Sequence, residues 1–275
     1  MVRLLNRLVR RTVVLALGIL TVWLIVFVFQ ITDSRLPTVL ALAATYGIAA
    51  YILLPRIVRF SLKVLQRRHV PCFTMTGDGF PGDPVNLVLT GTLAELRAAF
   101  ARGGWEEADR LGITSSLRMI YAFVFNSPYA TAPFSTLFLF GRGQDIGFQR
   151  AIDNSPRKRH HVRFWALSLS YPEDDLGKPS FWLNTDRPPE NACAHWIGAG
   201  TRDTGISLTR LTFQITHATD SDANVERDYI VSELRKNGVI KGIKLYKAGQ
   251  QLPGEHANHY ITDGDVAAAS LTVKV

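Results

Sequence analysis

VVLALGILTVWLIVFVFQI, residues 13–31, runs for 19 positions without a charge, close to the roughly 20 residues a helix needs to cross the hydrocarbon core of a bilayer. A secretory leader is the alternative. Its apolar region covers about 7–15 residues before a small-residue cleavage site, whereas this stretch is longer and runs on to Gln30 and Asp33. PTVLALAATYGIAAYILL, residues 37–54, is a second uncharged stretch, of 18 residues. Pro37 suits the first turn of a helix, where its missing N–H is not needed. The connection TDSRL is short enough to force an antiparallel hairpin. A buried soluble helix pair is disfavoured because neither stretch offers a polar face. Ala43 and Gly47 form a small-xxx-small pair that predicts close helix packing.

The flanks carry the charge. Residues 1–70 hold ten basic side chains and one acid, Asp33, a net of +9, while the remaining 205 residues carry 21 basic and 22 acidic groups. The overall +8 therefore belongs to the N-terminal quarter. The rest is electrically balanced, which argues against a nucleic-acid binder. A hydrophobic content of 47% and an aromatic content of 10% exclude a disordered chain. Two cysteines, Cys72 and Cys193, are too few for a disulfide scaffold. Arg3, Arg7, Arg10 and Arg11 precede the first stretch; Arg56, Arg59, Lys63, Arg67 and Arg68 follow the second. The positive-inside rule then predicts a multi-pass protein of the cell (inner) membrane, with both termini and everything after residue 54 in the cytoplasm. Arg56, Arg59, Lys63 and Arg67 recur along one helical face, the pattern of a helix resting on an anionic membrane surface.

The expected organisation is a basic N-terminus (1–12), a transmembrane hairpin (13–54), a basic helix and Gly/Pro-rich linker (55–84), and a soluble domain (85–275). In that domain VNLVLTG reads as a strand, followed by a helix over TLAELRAAFARGGW. Thr92 and Glu95 form its capping box, Leu93, Leu96, Ala99 and Phe100 its buried face, and Gly103–Gly104 its end. A second helix is predicted over SSLRMIYAFVF, capped by Ser115 or Ser116, with Leu117, Ile120, Tyr121 and Val124 inward and Arg118 a candidate for a buried ion pair. Residues 137–140 read as a strand, GRGQD as a turn, and HHVRFWALSL as another strand. AHWIGAGT and GISLTRLTFQIT read as a following pair. NVERDYIVSELRKNG predicts a third helix with Val225, Tyr229, Ile230 and Leu234 on one stripe. Strands near 239–246 and 269–275 close the domain. About three helices and a mainly antiparallel sheet make this an α+β fold.

Several blocks carry a resemblance: VNLVLTGTLAELRAAFARGGW, SSLRMIYAFVFNSPYATAPFSTLFLFGRGQDIGFQ, NSPRKRHHVRFW, HWIGAGTRDTGISL and THATDSDANVERDYIVSEL. In this order, from about residue 80 to the end, they resemble the LssY C-terminal domain family. The resemblance implies a bacterial domain of unassigned biochemistry that elsewhere is joined to membrane modules such as DedA-like proteins and type 2 phosphatidic acid phosphatases. The phosphatase motifs are off-pattern here. Lys178 and Arg187 are separated by eight residues rather than six, Pro-Ser-Gly-His is missing, and Arg210, His217 and Asp220 fall at altered spacing.

RKRHHVR, residues 157–163, is the densest polar cluster. On a strand, His161, Arg163 and Trp165 share one face and His160, Val162 and Phe164 the other, with Arg157 and Arg159 on the loop before it. The cluster reads as an anion site in which Arg142, Arg157, Arg159 and Arg163 supply donors and His160 or His161 a proton. The alternative is a strand whose histidines are satisfied structurally. Arg142, Gln144 and Asp145 stand on the neighbouring turn. His161 and His217 are the candidate catalytic groups. His217 with Asp220, and His256 with His259, lack a third metal ligand, and neither a Gly-x-Ser-x-Gly elbow nor a phosphate loop is present. No metal or cofactor is expected. The expected partners are the lipid bilayer and either another membrane protein or a phosphorylated ligand, with no nucleic acid. Two functions follow: a membrane-tethered module that binds an anionic ligand or partner protein in envelope biology, or a membrane-bound enzyme acting on a phosphorylated or lipidic substrate.

Overall fold

A computed structural model describes residues 2–65, 70–125, 127–153, 155–168, 189–208, 215–247 and 260–273. Its first element is α1 (Val2–Asp33). After the turn at Pro37 come α2 (Thr38–Ile48), a π-helical turn (Ala49–Leu53) and α3 (Leu54–Leu65), with no break between them. The π turn has a cause. Pro55 lacks an N–H and crowds the preceding turn, and the widened ladder, in which Leu54 N–H donates to Ala49 O, makes room for it. Both helices are long and apolar enough to cross a membrane, over Leu8–Asp33 and Thr38–Val64. Only 6% and 17% of their most apolar windows are buried, so they are not core helices of a soluble domain.

The contact between them differs from the expected small-residue pair. Ala41, Thr45 and Ala50 are buried, with Thr45 and Thr32 hydroxyls 3.2 Å apart, whereas Ala43 is exposed and Gly47 has open space around it. The contact stripe of Ala41 and Thr45 falls two positions away from the motif. The basic helix also departs from expectation. As an unbroken continuation of α2, α3 packs along α1. Lys63 is 3% exposed, lying against Gly141 rather than turned to a lipid surface. Arg59 is half-buried, with its guanidinium 5.1 Å from the Phe60 ring. Arg56 is exposed; Arg67 and Arg68 lie outside the described residues.

The Gly/Pro-rich stretch expected as a linker folds into a hairpin, β1 (Phe73–Met75) and β2 (Pro81–Pro84). It joins β5 (Phe138–Leu139) and β6 (Arg142–Gly143) in a small antiparallel sheet ordered β2-β1-β5-β6. GRGQD thus contains a strand, and the reversal sits at Phe140–Gly141, both with positive φ.

The main sheet contains β3 (Leu87–Gly91), β4 (Glu106–Glu107), β7 (Ile146–Ile152), β8 (Ser155–Ser168), β9 (Ala194–Leu208), β10 (Ile215–Thr219), β11 (Ile240–Lys247) and β12 (Asp265–Leu271). Their order is β11-β12-β3-β9-β8-β7-β4, with β10 beside the far half of β9. The β12–β3 pair is parallel and the others are antiparallel, so the fold is α+β with a mainly antiparallel sheet. The two strands expected over AHWIGAGT and GISL are one continuous β9. β8 starts at Ser155, which puts Arg157 and Arg159 on the strand rather than on a loop.

Alternation along β8 separates two cores. Val162, Phe164 and Ala166 pack with Leu87, Leu89, Phe148 and Trp196 beneath α4 (Leu93–Arg102) and α6 (Ala223–Lys236). Trp165 faces the other way and packs with Ile197, Ala199, Val85, Leu137 and Leu139 under the small sheet. The α4 capping box forms as expected, with Thr92 N donating to Glu95 Oε2 at 2.7 Å and Glu95 N to Thr92 Oγ1 at 3.1 Å. On α6 the buried stripe is Ala223, Glu226, Arg227, Ile230 and Leu234, leaving Val225 exposed. Glu226 and Arg227 take inward places because each finds a charged or polar partner there, His160 for the first and Asp263 for the second. Helix α5 (Ile113–Val124) is capped from Gly112, whose N–H donates to Ser115 Oγ at 2.9 Å. It turns its small side inward, so Leu117, Ile120, Tyr121 and Val124 are exposed, contrary to expectation. Arg118 is exposed too, stacked 4.3 Å over the Tyr129 ring.

Candidate functional site

Where the N-terminal half of β8 meets the small sheet, the layer between the two sheets turns from apolar to charged. Asp83, Gln149, Arg159, His161, Arg163, Thr201 and Asp203 are all buried. The odd positions of β8 point here by strand alternation, and β9 supplies Thr201 and Asp203 directly opposite His161 and Arg159. β2 delivers Asp83 from the other sheet.

Arg159 Nε donates to Asp203 Oδ2 at 2.7 Å, and its Nη1 donates to Gln149 Oε1 at 2.5 Å. Burial lowers the Arg159 pKa and Asp203 works against that shift. Arg163 Nη1 is paired with Asp83 Oδ2. The same Nη1 donates to His161 Nε2 at 2.6 Å, and Thr201 Oγ1 lies 2.8 Å from that nitrogen. Because Arg can only donate, Nε2 accepts and the ring proton sits on Nδ1. That atom stands 3.2 Å from Asp203 Oδ1, out of line for a hydrogen bond. Burial works to raise the Asp83 pKa, but the Arg163 guanidinium, followed by His161 and the Tyr260 hydroxyl, overrides it and holds the carboxyl below its ordinary value. Tyr260 OH donates to Asp83 Oδ1 at 2.9 Å and lies 2.6 Å from Thr219 Oγ1. Burial, reinforced by Asp83, pushes the tyrosine well above its usual range. Phe134 closes the cluster, with its ring 4.9 Å from both guanidinium carbons and 5.2 Å from the His161 ring. It reaches this position by lying on Gly147, where any Cβ would collide with it.

A cavity of about 340 Å³ opens onto this cluster, lined by Asp83, His161, Arg163, Asp203, Asp220 and Tyr260 together with serine and threonine hydroxyls. Arg163 Nε is buried and has no hydrogen-bond partner among the described residues. Asp83 and Asp203 address opposite ring nitrogens of His161, so the three do not converge on one point as metal ligands would.

Of the candidate anion-site residues, the structure brings together Arg159, His161 and Arg163. His160 is on the opposite face, held by Glu226 at 2.9 Å and stacked on Tyr229 at 4.1 Å. Arg142 pairs with Asp145 at 2.6 Å near Trp165, away from the cavity. Gln144 props the cavity wall, accepting from Leu137 N and donating to Ser135 O. Arg157 lies further along β8, outside the lining. His217 is on β10 opposite Ile206, and its side chain is outside the description, as are His256, His259, Lys178, Arg187 and Arg210. Sequence reading missed Asp83, Asp203 and Tyr260. Asp203 was signalled only by alternation on a strand expected to end earlier.

A mixed-sheet domain with a charged cavity between its sheets, carried on two helices of membrane-crossing length, defines a class rather than an activity. Residues 67–266 match the family described as LssY C-terminus, and the chain belongs to that family. No curated protein and no solved structure matches it.

Proposed function

We propose that the chain is a membrane-tethered, cytoplasm-facing binding module whose cavity takes a small ligand bearing one oxyanion and neighbouring hydroxyls. The carrying observation is the Arg163 guanidinium. It is buried and lines the cavity, with Nη1 spent on Asp83 and His161 and Nε unspent. A buried donor without a partner is costly, and an oxyanion placed against it satisfies it with a charge-assisted bond. The acids set the limit on ligand charge. Arg159 and Arg163 are balanced by Asp83 and Asp203, and Asp220 adds a further negative group. A single charge accompanied by hydroxyl donors to these carboxylates therefore fits better than a bare dianion. The volume suits a ligand of that size.

The test is a thermal-shift titration of the full chain in nanodiscs with glycerophosphoglycerol, gluconate and uncharged glycerol. Saturable stabilisation by either charged polyol, absent with glycerol and lost in Arg163→Lys, supports the reading. An equal response to all three, or none, ends it.

The enzyme reading has one observation in its favour, the placement of His161 between Asp203 and the cavity. It requires Arg163 to leave Nε2 so that the imidazole can accept a proton from a bound substrate. Turnover of a phosphodiester probe by the full chain, abolished in His161→Gln, is the result that favours it over binding alone.

A further inference from the structure

Helix α5 reverses the usual sense of a surface helix. Its packed side is small, with Met119 and Ala122 set against Tyr129 and Ala132. Its outer side carries Ile113 at 85% exposure, Leu117 at 63%, Val124 at 63% and Phe125 at 66%, with Ile120 and Tyr121 between them. Tyr121 and Phe125 pack on each other at 4.7 Å and extend the patch past the helix end. A contiguous exposed apolar surface of this kind marks a contact with something apolar.

We infer that this face is a second membrane contact, with α5 lying in the boundary between headgroups and acyl chains of the bilayer that receives the hairpin. Three observations select lipid over another occupant. The charge fits an anionic headgroup layer, because residues 110–125 contain Arg110 and Arg118 and no acid. Both arginines are exposed, and Tyr121 has the amphipathic ring favoured at that depth. The tether is short. α3 packs against the domain, with Pro55 3.2 Å from a Cβ placed at Gly77, Val58 3.5 Å from one at Gly79, and the Lys63 backbone against Gly141. The domain is thus held at the end of the hairpin, within reach of the bilayer. Seven exposed apolar side chains from Leu111 to Phe125 without an intervening acid form the pattern of a helix lying in a membrane interface. The inference is independent of the cavity.

The experiment places a polarity-sensitive fluorophore at Leu117→Cys in a Cys193→Ser background, in the full chain reconstituted into vesicles of phosphatidylcholine with phosphatidylglycerol. The control site is Val225→Cys, also exposed but on α6. Emission at 117 is expected to shift to the blue and to be quenched by nitroxide-labelled lipid, with neither effect at 225. Ile120→Glu is expected to abolish the quenching at 117 while leaving the melting temperature unchanged, since the site is exposed. Emission at 117 that is water-like and unquenched overturns the inference. So does disulfide cross-linking of 117 to 117 between copies, which would assign the face to a second chain.

Discussion

Asp83 and Arg163 are each buried, and each is tolerable there because of the other. Removing one partner of a buried pair strands the remaining charge, which costs about 3–5 kcal/mol. Asp83→Asn is therefore expected to destabilise the domain on that scale, measured by urea unfolding at neutral pH. The pH dependence has a definite sign. A carboxyl whose folded pKa lies below its unfolded value of about 3.9 contributes stability at pH above that value and loses it as pH falls through the folded pKa. In the wild type, acid should erode this contribution below about pH 4, and in Asp83→Asn that part of the acid limb should flatten. An unchanged acid limb would show that Asp83 does not titrate with folding. Gly147 is the other sensitive residue. A methyl there displaces Phe134 from the two guanidinium groups and His161, so Gly147→Ala is expected to cost about 1–3 kcal/mol, the range for overpacking a core. The same variant should weaken binding of a charged polyol, since Arg163 and His161, which line the cavity, are packed against Phe134. The grouping of His161 with Arg163 was legible in RKRHHVR because alternation alone assigns them to one face and His160 to the other. Their acidic partners were not, because Asp83 lies 80 residues from Arg163 and Asp203 lies 44 from Arg159. Such pairings are made by sheet register, which no local pattern encodes.

Among the elements, local chemistry was a good guide where it acts within one turn and a poor one where tertiary partners decide. The Thr92–Glu95 box closes within α4, and its residues sufficed to predict it. Thr92→Ala is expected to cost about 1 kcal/mol, readable as a fall in melting temperature with the cavity intact. On α5 and α6 the periodicity of apolar residues was real, but amphipathicity reports that a face is apolar and not what covers it. On α6, Glu226 took an inward place by pairing with His160, displacing the expected Val225. β9 ran through Gly205 without turning, because Gly205 pairs with Ala218 across to β10. The β1–β2 hairpin was hidden by its composition, since Gly and Pro ordinarily mark loops. Here Pro81 and Pro84 sit on a strand at the edge of the small sheet, where a missing donor does no harm.

At the scale of the whole molecule the charge is divided, with the excess confined to the hairpin flanks and the domain near neutral. The π turn lets α2 continue as α3, so the basic residues after the second apolar stretch leave on an unbroken helix and part of their length is spent on the domain. Lys63 fills the space over Gly141, whose φ of +70° and lack of a Cβ permit the approach. The proposed orientation rests on the flanking charges all the same, since orientation is set during insertion, before a domain folds. Four arginines before the first stretch and five basic residues after the second, against Arg35 and Asp33 between them, are the basis on which we propose that both ends lie on the cytoplasmic side. A fluorescent protein fused after Val275 is expected to mature and fluoresce, and an alkaline phosphatase fused there is expected to be inactive because its disulfides do not form in a reducing compartment. Fusing the phosphatase within the turn at Ser34 should reverse the result. Replacing Arg3, Arg7, Arg10 and Arg11 by Gln weakens one side of the bias while leaving the five basic residues after the second stretch, so the C-terminal reporter should remain cytoplasmic. Replacing both sets should produce mixed orientation. A phosphatase active at the C-terminus of the wild-type chain would place the cavity outside the cytoplasm and redirect the search for its ligand to the opposite face of the membrane.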